Sequence, residues 1–370
     1  MSMLFPEGRL SIELKLKHGA VREVSIESSR RVDACRVLQG RSVQEALSMI
    51  PMLYSVCGKA QIVTGAAACR QAMGAPVTNP ARRTWGLLVH VEMALEHLWC
   101  FHLDWPRILG IKSDPDAYFQ LRKQLESGLM PVTGNPGLEE MPDELPEECA
   151  DTLERHLREQ VFGTDVLSGS SQWEFLPAGA GSLLSEMMLR LSENDEPWDG
   201  CRMPMPQAAE IARRLASEED FARHPAWGEP RETGAQTRMN SHAMIRKMKA
   251  GILSRFAARM LELAALPEKI RGSGKSDGEV SSHALELGIG VAWVETSRGM
   301  LLHRAEVEKD TVRRYQILAP TEWNFHPRGA LFQGLTGLPA RDERLLRSKA
   351  EMMVMALDPC IGYELRIKKQ

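Results

Sequence analysis

Leu357-Asp358-Pro359-Cys360-Ile361-Gly362-Tyr363-Glu364-Leu365-Arg366, the closing stretch, decides the fold. Before it runs an apolar pattern at helical spacing, Leu345, Leu346, Met352, Met353 and Met355, which predicts a helix that Pro359 ends. A cysteine just past such a break sits on a fixed backbone, and its thiolate is a soft ligand suited to a soft metal. Asp-Pro-Cys alone is a short signature. Two stretches upstream give it weight: Arg298-Gly299, and Ala319-Pro320-Thr321-Glu322-Trp323-Asn324.

A chain of 370 residues has enough material for a large core. Its formal charge of −3 gives no electrostatic reason to expect nucleic acid or an anionic membrane. No apolar run is long enough to span a bilayer, and the opening Met1-Ser2-Met3-Leu4-Phe5-Pro6-Glu7 lacks the basic start and apolar middle of a signal peptide. Seven cysteines, an odd number without close pairs, argue against a disulfide framework and suit a reducing, cytoplasmic setting. No C-x-x-C occurs, so a structural zinc site has no support.

Leu10, Ile12, Leu14 and Leu16 alternate with polar residues, and Val21, Val24 and Ile26 follow His18-Gly19, which predicts a β-hairpin. Residues 85–105 carry Leu87, Leu88, Val91, Ala94, Leu95, Leu98 and Phe101 at helical spacing, so a long helix is expected, ended by Pro106. His97 and His102 lie five apart, off the shared face of a helical metal pair, and are expected as satisfied core histidines. Residues 131–151 mix prolines with acids and predict a loop or linker. Short helices are expected near 183–191 and 208–216, and a second long one over 241–266, with Met244, Met248, Ile252, Phe256, Met260 and Leu263 along one side. Gly272-Ser273-Gly274-Lys275-Ser276 lacks the first glycine of a phosphate loop and reads as a flexible connector. Strands are expected over 288–295, 300–307 and 312–318.

Several of these segments together resemble the nickel-iron hydrogenase large subunits. Glu295 to His303 is similar to an E-x-x-R-G-x-L-x-H segment, Pro320 to Asn324 to P-[ST]-x-W-N, and Asp358-Pro359-Cys360 to the start of D-P-C-x-x-C-x-x-H. Val37-Leu38-Gln39-Gly40-Arg41 and Tyr54-Ser55-Val56-Cys57-Gly58 resemble L-x-G-R leading into R-I-C-G-x-C-x-x-x-H. Glu7-Gly8-Arg9 resembles an opening E-G-H, and Cys35 falls where the family carries a proton-relaying glutamate. The departures matter as much: Ala60 and Tyr363 stand at the second cysteines, and Thr64 and Arg366 at the histidines.

The resemblance implies a helix-rich α+β large-subunit-like fold, with an N-terminal β-hairpin and C-terminal strands around a metal pocket. It implies one domain over 1–370, with residues 7–105 and 285–366 family-like and 106–284 divergent. In the family the first cysteine of each motif is terminal on nickel and the second bridges to an iron carrying two cyanides and one carbon monoxide. Carried over, Cys57 and Cys360 match the terminal positions while both bridging positions are lost. Arg298 and Thr321 match the donors beside the cyanides, with Pro320 shaping their loop, and both are expected at loop tips facing one cavity. A guanidinium gives cyanide nitrogens charge-assisted hydrogen bonds. The donors for diatomic ligands thus survive where the nickel site does not. The pattern resembles the HupK/HoxV-type hydrogenase assembly proteins and implies a non-catalytic scaffold that transiently holds iron with cyanide and carbon monoxide, without nickel. Its partners would be hydrogenase maturation proteins and the large-subunit precursor. The alternative is a metal-free adaptor for the same partners; an active hydrogenase conflicts with Ala60, Tyr363 and the missing histidines. Cys69, Cys100, Cys149 and Cys201 are expected as small buried hydrophobes.

Overall fold

A computed structural model describes residues 8–54, 56–133, 142–163, 179, 181–201, 204–273 and 280–369. Strands β1 (Arg9–Lys17) and β2 (Ala20–Ser28) form the expected hairpin, with Lys17 opposite Ala20 across a two-residue turn. Both turn residues have positive φ, 54° at His18 and 72° at Gly19, the geometry that matches strand twist in a tight hairpin. Leu10, Ile12 and Leu14 are fully buried on one face of β1, as their alternation requires.

Helices follow: α1 (Val43–Leu53), α2 (Gly58–Ala72), α3 (Asn79–Trp99), α4 (Trp105–Leu109), α5 (Pro115–Thr133) and α6 (Leu145–His156). Pro106 does not end the long helix. A π-type turn over Cys100–Asp104, in which Trp105 N–H reaches back to Cys100 O, joins α3 to α4. The turn re-routes the carbonyls that Pro106 would meet, and the helix stops only at Gly110, φ 66°. The acidic, proline-bearing stretch is likewise not all linker, because α6 starts inside it. Pro146 occupies its first turn with Glu147 and Glu148, where a missing N–H costs nothing and acids favour the helix dipole. Glu139 and Glu140 lie outside the described residues.

Helices α7 (Leu183–Asn194) and α8 (Ala208–Ser217) match the short helical runs. Two-residue strands β3 (Ala226–Trp227) and β4 (Glu229–Pro230) lead to α9 (Ala235–Arg238), α10 (Ala243–Lys247) and α11 (Ile252–Arg271). The second long helix therefore starts at residue 252, not 241. Asp195 Oδ1 accepts from the N–H groups of Ile252 and Leu253 at 2.8 and 3.1 Å, capping α11 from a distant segment. Gly251 is required there, since a Cβ on it would lie 2.4 Å from that same oxygen. Much of the glycine-serine connector, residues 274–279, lies outside the described residues.

Strands β5 (Val280–Glu286), β6 (Ile289–Thr296), β7 (Gly299–Glu308) and β8 (Thr311–Leu318) form an antiparallel sheet in sequence order, β5 being one strand more than the sequence suggests. Next come α12 (Pro320–Asn324), α13 (Ala330–Leu335) and α14 (Glu343–Leu357). The last strand, β9 (Gly362–Lys369), pairs in parallel with β1, giving the order β2-β1-β9. One hydrophobic cluster takes in residues from Leu10 to Leu365. The result is a helix-rich α+β fold in which the closing strand completes the opening hairpin.

Leu365 anchors β9 beneath the sheet and is 8% exposed. Leu365→Ala is expected to lower stability by about 2 kcal/mol or more in denaturant unfolding. A change under about 0.5 kcal/mol, the scale of a surface substitution, would contradict this packing.

Candidate functional site

Four junctions between elements converge on one cavity of about 340 Å³, lined by Arg30, Tyr54, Cys57, Arg298, Thr321 and Cys360 among others. Cys57 is the residue before α2, so its thiol lies at a helix N-terminus. Arg298 is the second residue of the two-residue turn between β6 and β7, where Thr296 pairs with Gly299. Thr321 lies in the first turn of α12 behind Pro320, which also lines the cavity; it is a helix residue, not a loop tip. Cys360 follows the break after α14. There Asp358 takes φ 51°, and its N–H still bonds back to Val354 O and Met355 O. The cavity thus brings together all five residues that the sequence singles out.

Each thiol has a guanidinium beside it, and each guanidinium has a carboxylate. Arg298 Nη1 lies 3.6 Å from Cys57 Sγ and 2.7 Å from Glu96 Oε2. Arg30 Nη1 lies 3.2 Å from both Cys360 Sγ and Glu322 Oε1. Thr321 Oγ1 is 2.9 Å from Cys360 Sγ and accepts from Cys360 N–H at 3.4 Å. Arg298 Nε lies 3.4 Å from Asp358 Oδ2 but donates no hydrogen bond, so one N–H of this buried guanidinium is unsatisfied.

The turn bearing Arg298 is fixed by the second motif. Asn324 Nδ2 donates to Arg298 O at 3.1 Å, and Asn324 Oδ1 accepts from Thr233 N–H at 2.8 Å. Gly299, φ 131°, has Thr233 so close that a Cβ would meet its side chain at 2.4 Å. The R-G pair and the W-N pair therefore form one structural unit.

None of the residues where the metal-binding pattern breaks lines the main cavity. Ala60 is buried inside α2, and Thr64 Oγ1 donates to Ala60 O at 2.6 Å. Tyr363 is half-buried at the start of β9, and Arg366, farther along it, pairs with Glu364 at 2.9 Å. Glu7 lies outside the described residues. Cys35 faces a separate cavity of about 100 Å³ and its thiol donates to Tyr315 O at 3.2 Å. Cys69, Cys100, Cys149 and Cys201 are buried, His97 bonds Glu262 at 2.9 Å, and His102 bonds His156 at 3.0 Å. Among the described residues no group of three or more His, Cys, Asp or Glu side chains gathers as a full ligand set.

With this geometry in view, the similarities to known proteins are specific. The Nickel-dependent hydrogenase family matches residues 233–362. The hydrogenase expression/formation protein HoxV of Cupriavidus necator is 30% identical over 353 residues, covering 89% of this chain and 88% of its own. The chain belongs to the nickel-iron hydrogenase large-subunit superfamily, in the branch of the hydrogenase expression/formation proteins. HupV of Azotobacter chroococcum, another expression/formation protein, is 28% identical, covering 97% of this chain and 98% of its own. The fold likeness reaches the Ni-Fe-Se hydrogenase of D. vulgaris Hildenborough, with a TM-score of 0.66 at 17% identity, over 93% of this chain and 94% of that one.

Four residues around the site in this superfamily member escape a sequence reading: Arg30, Glu92, Glu96 and Arg259. Nothing in Ser28-Ser29-Arg30-Arg31 marks Arg30, because its contact with Cys360 spans 330 residues. The glutamates sit four apart on α3, which is the one local signal that they share a face. Glu92 accepts from the N–H groups of Lys59 and Ala60 at 2.8 and 2.9 Å, capping α2 in place of Cys57. Arg259, from α11, donates to Asp358 Oδ2 at 2.9 Å.

The electrostatics follow from burial. Burial pushes the Cys57 thiol well up; Arg298 pulls it back, while Glu92 and Glu96 add to the rise. Burial likewise raises Glu96, against Arg298. Burial opposes ionisation of Asp358, but Arg298 and Arg259 outweigh it and hold the carboxyl below its ordinary value. Burial lifts Glu92 to about 7 despite its two backbone donors.

Two outcomes follow. Asp358→Ala leaves Arg259 and Arg298 without their shared carboxylate, and is expected to cost about 3–5 kcal/mol in denaturant unfolding. A loss below about 1 kcal/mol would contradict the pairing. For Glu92, a folded value above the ordinary 4.5 means the folded chain binds the extra proton between 4.5 and about 7. Its contribution is therefore full below 4.5 and is lost as pH rises through 7. Glu92→Gln should flatten that fall in a pH series of unfolding curves, and an unchanged slope would refute the assignment.

Proposed function

We propose that this chain is a non-catalytic scaffold that receives, holds and passes on the iron–cyanide–carbonyl fragment of a nickel-iron hydrogenase active site. The similarity to proteins named for hydrogenase expression and formation supports a role in hydrogenase assembly. One observation carries the finer reading: the thiols of Cys57 and Cys360, the guanidiniums of Arg30 and Arg298 and the hydroxyl of Thr321 share one cavity, while the positions of the bridging thiolates hold Ala60 and Tyr363.

The residues fit such a cargo. Cys57 and Cys360 supply two soft donors suited to low-valent iron, and too few for a four-sulfur nickel site. Arg298, whose Nη1 lies beside Cys57 Sγ in the cavity lining, offers a charged donor suited to a strong acceptor such as a cyanide nitrogen. Thr321 adds a hydroxyl, and Leu53, Leu301 and Ile361 add an apolar wall that strengthens polar contacts inside. Iron is the cargo, with no specific nickel. Donors and recipients would be hydrogenase maturation proteins and the large-subunit precursor, met in the cytoplasm. No described helix is long and apolar enough to cross a membrane.

A metal-free adaptor for the same partners is the second reading. It is favoured by the hydrogen bonds that each thiol already has, Cys57 to Arg298 and Cys360 to Thr321 and Arg30.

Protein purified anaerobically from hydrogenase-producing cells separates the two. The scaffold should show cyanide and carbonyl stretches in the infrared, with substoichiometric iron and essentially no nickel by elemental analysis. Arg298→Ala should lower iron–cyanide occupancy about 10–100-fold or shift the cyanide bands, the usual effect of removing a residue that orients a metal site. Arg298→Lys keeps the charge, loses the planar fork and should rescue only in part. Unchanged bands and unchanged hydrogenase maturation with Arg298→Ala at wild-type protein level would defeat the reading. So would stoichiometric nickel with hydrogen-dependent dye reduction.

A further inference from the structure

We propose that Arg30 is a second anion-binding residue of the cavity, one that releases Cys360 and turns its guanidinium onto an anionic diatomic ligand when cargo enters. This rests on the reading of the cavity as a cargo site. The observation behind it is a doubled arrangement. Cys57, Arg298 and Glu96 form a thiol–guanidinium–carboxylate row on one side; Cys360, Arg30 and Glu322 form another. The two rows come from different parts of the fold and line the same space.

Arg30 is built in. Its side chain is 12% exposed, against 67% for neighbouring Arg31, which pairs with Asp33. Its guanidinium carbon lies 5.8 Å from the centre of the Tyr54 ring, which also lines the cavity. Glu322, its carboxylate anchor, belongs to the same short helix as Thr321. The sheet explains how it gets there. Strand β2 ends at Ser28 opposite Leu10, and β9 begins at Gly362 beside Arg9. Residues just past β2 and just before β9 thus emerge at one end of the sheet, with Arg30 beside Cys360.

The chemistry is that of exchange. Without cargo, Nη1 donates to Cys360 Sγ and to Glu322. A thiol sulfur is a weak hydrogen-bond acceptor, whereas a cyanide nitrogen is a strong one. A guanidinium has five N–H groups, so it can keep Glu322 and turn another toward the anion. No bond is made or broken at carbon, and no electron is transferred. Two guanidiniums facing one cavity select anionic ligands over neutral carbon monoxide, and low local polarity sharpens the preference. The cargo so defined is an iron fragment with at least two anionic, linear, nitrogen-ended ligands.

Thiocyanate tests this on the metal-free full chain, since it is anionic, linear and nitrogen-ended and its C≡N stretch reports its surroundings. Wild-type protein is expected to bind it with a shifted band. Arg30→Gln should weaken binding about 10-fold or more, as loss of a charge-assisted contact does. Arg30→Lys should recover part of the affinity, and Arg313→Gln, which removes the same formal charge from an exposed residue that does not line the cavity, should change it less than about 2-fold. If Arg30→Gln does not fold, Arg30→Lys alone should still weaken binding several-fold through loss of the planar fork. Affinity unchanged by either Arg30 variant, or lowered equally by Arg313→Gln, overturns the proposal, as does wild-type protein that binds no thiocyanate. The iron reading is judged separately, by the bands of wild-type protein loaded in cells. Arg30-dependent thiocyanate binding without those bands leaves an anion pocket and removes the iron.

Discussion

Asp358 carries a buried negative charge in a left-handed backbone conformation, and three parts of the chain are fixed through it. Its carboxylate meets Arg259 from α11 and Arg298 from the β6–β7 turn, while its backbone ends α14 and turns the chain toward Cys360. Aspartate is among the few side chains that tolerate this conformation, and its short carboxylate reaches both arginines without leaving the turn. An isolated charge in such a place would neutralise itself; two guanidiniums keep it ionised. The positive charge of Arg298 is thereby held at the cavity without long-range compensation, and Cys360 is presented at a set angle.

From that constraint the logic of the cavity follows. Polar donors in a buried space cost stability when they are left unsatisfied. Here Arg298 and Thr321 line the cavity, and the Asn324 bond and the close approach at Gly299 hold Arg298 in place. In α2, the Thr64 hydroxyl bonds locally to the Ala60 carbonyl.

Helix limits moved for reasons that lie outside each segment. Pro106 is accommodated by a π-type turn whose His102 packs on His156, the last residue of α6. The start of α11 is set by Asp195, a residue 57 positions away whose carboxylate caps it. In α6 Pro146 and the acids after it, which suggested a linker, are instead a helix start, a signature legible on its own once position within the first turn is considered.

By itself the sequence determined the hairpin, whose period of two and His18-Gly19 turn are local, and the three strands around Arg298. It also determined that Cys57, Cys360, Arg298 and Thr321 belong together, because each sits in a motif long enough to carry a likeness. Only the tertiary structure decided who stands beside them. Glu96 reaches Arg298 across 202 positions, Arg259 reaches Asp358 across 99, and Arg30 reaches Cys360 across 330. Those partners are chosen by sheet order and helix packing, since β9 adds in parallel beside β1 and α3 lies against α2. Such long-range pairing leaves no periodicity in the chain, so charge partners of a buried site become visible only when the fold has closed around it.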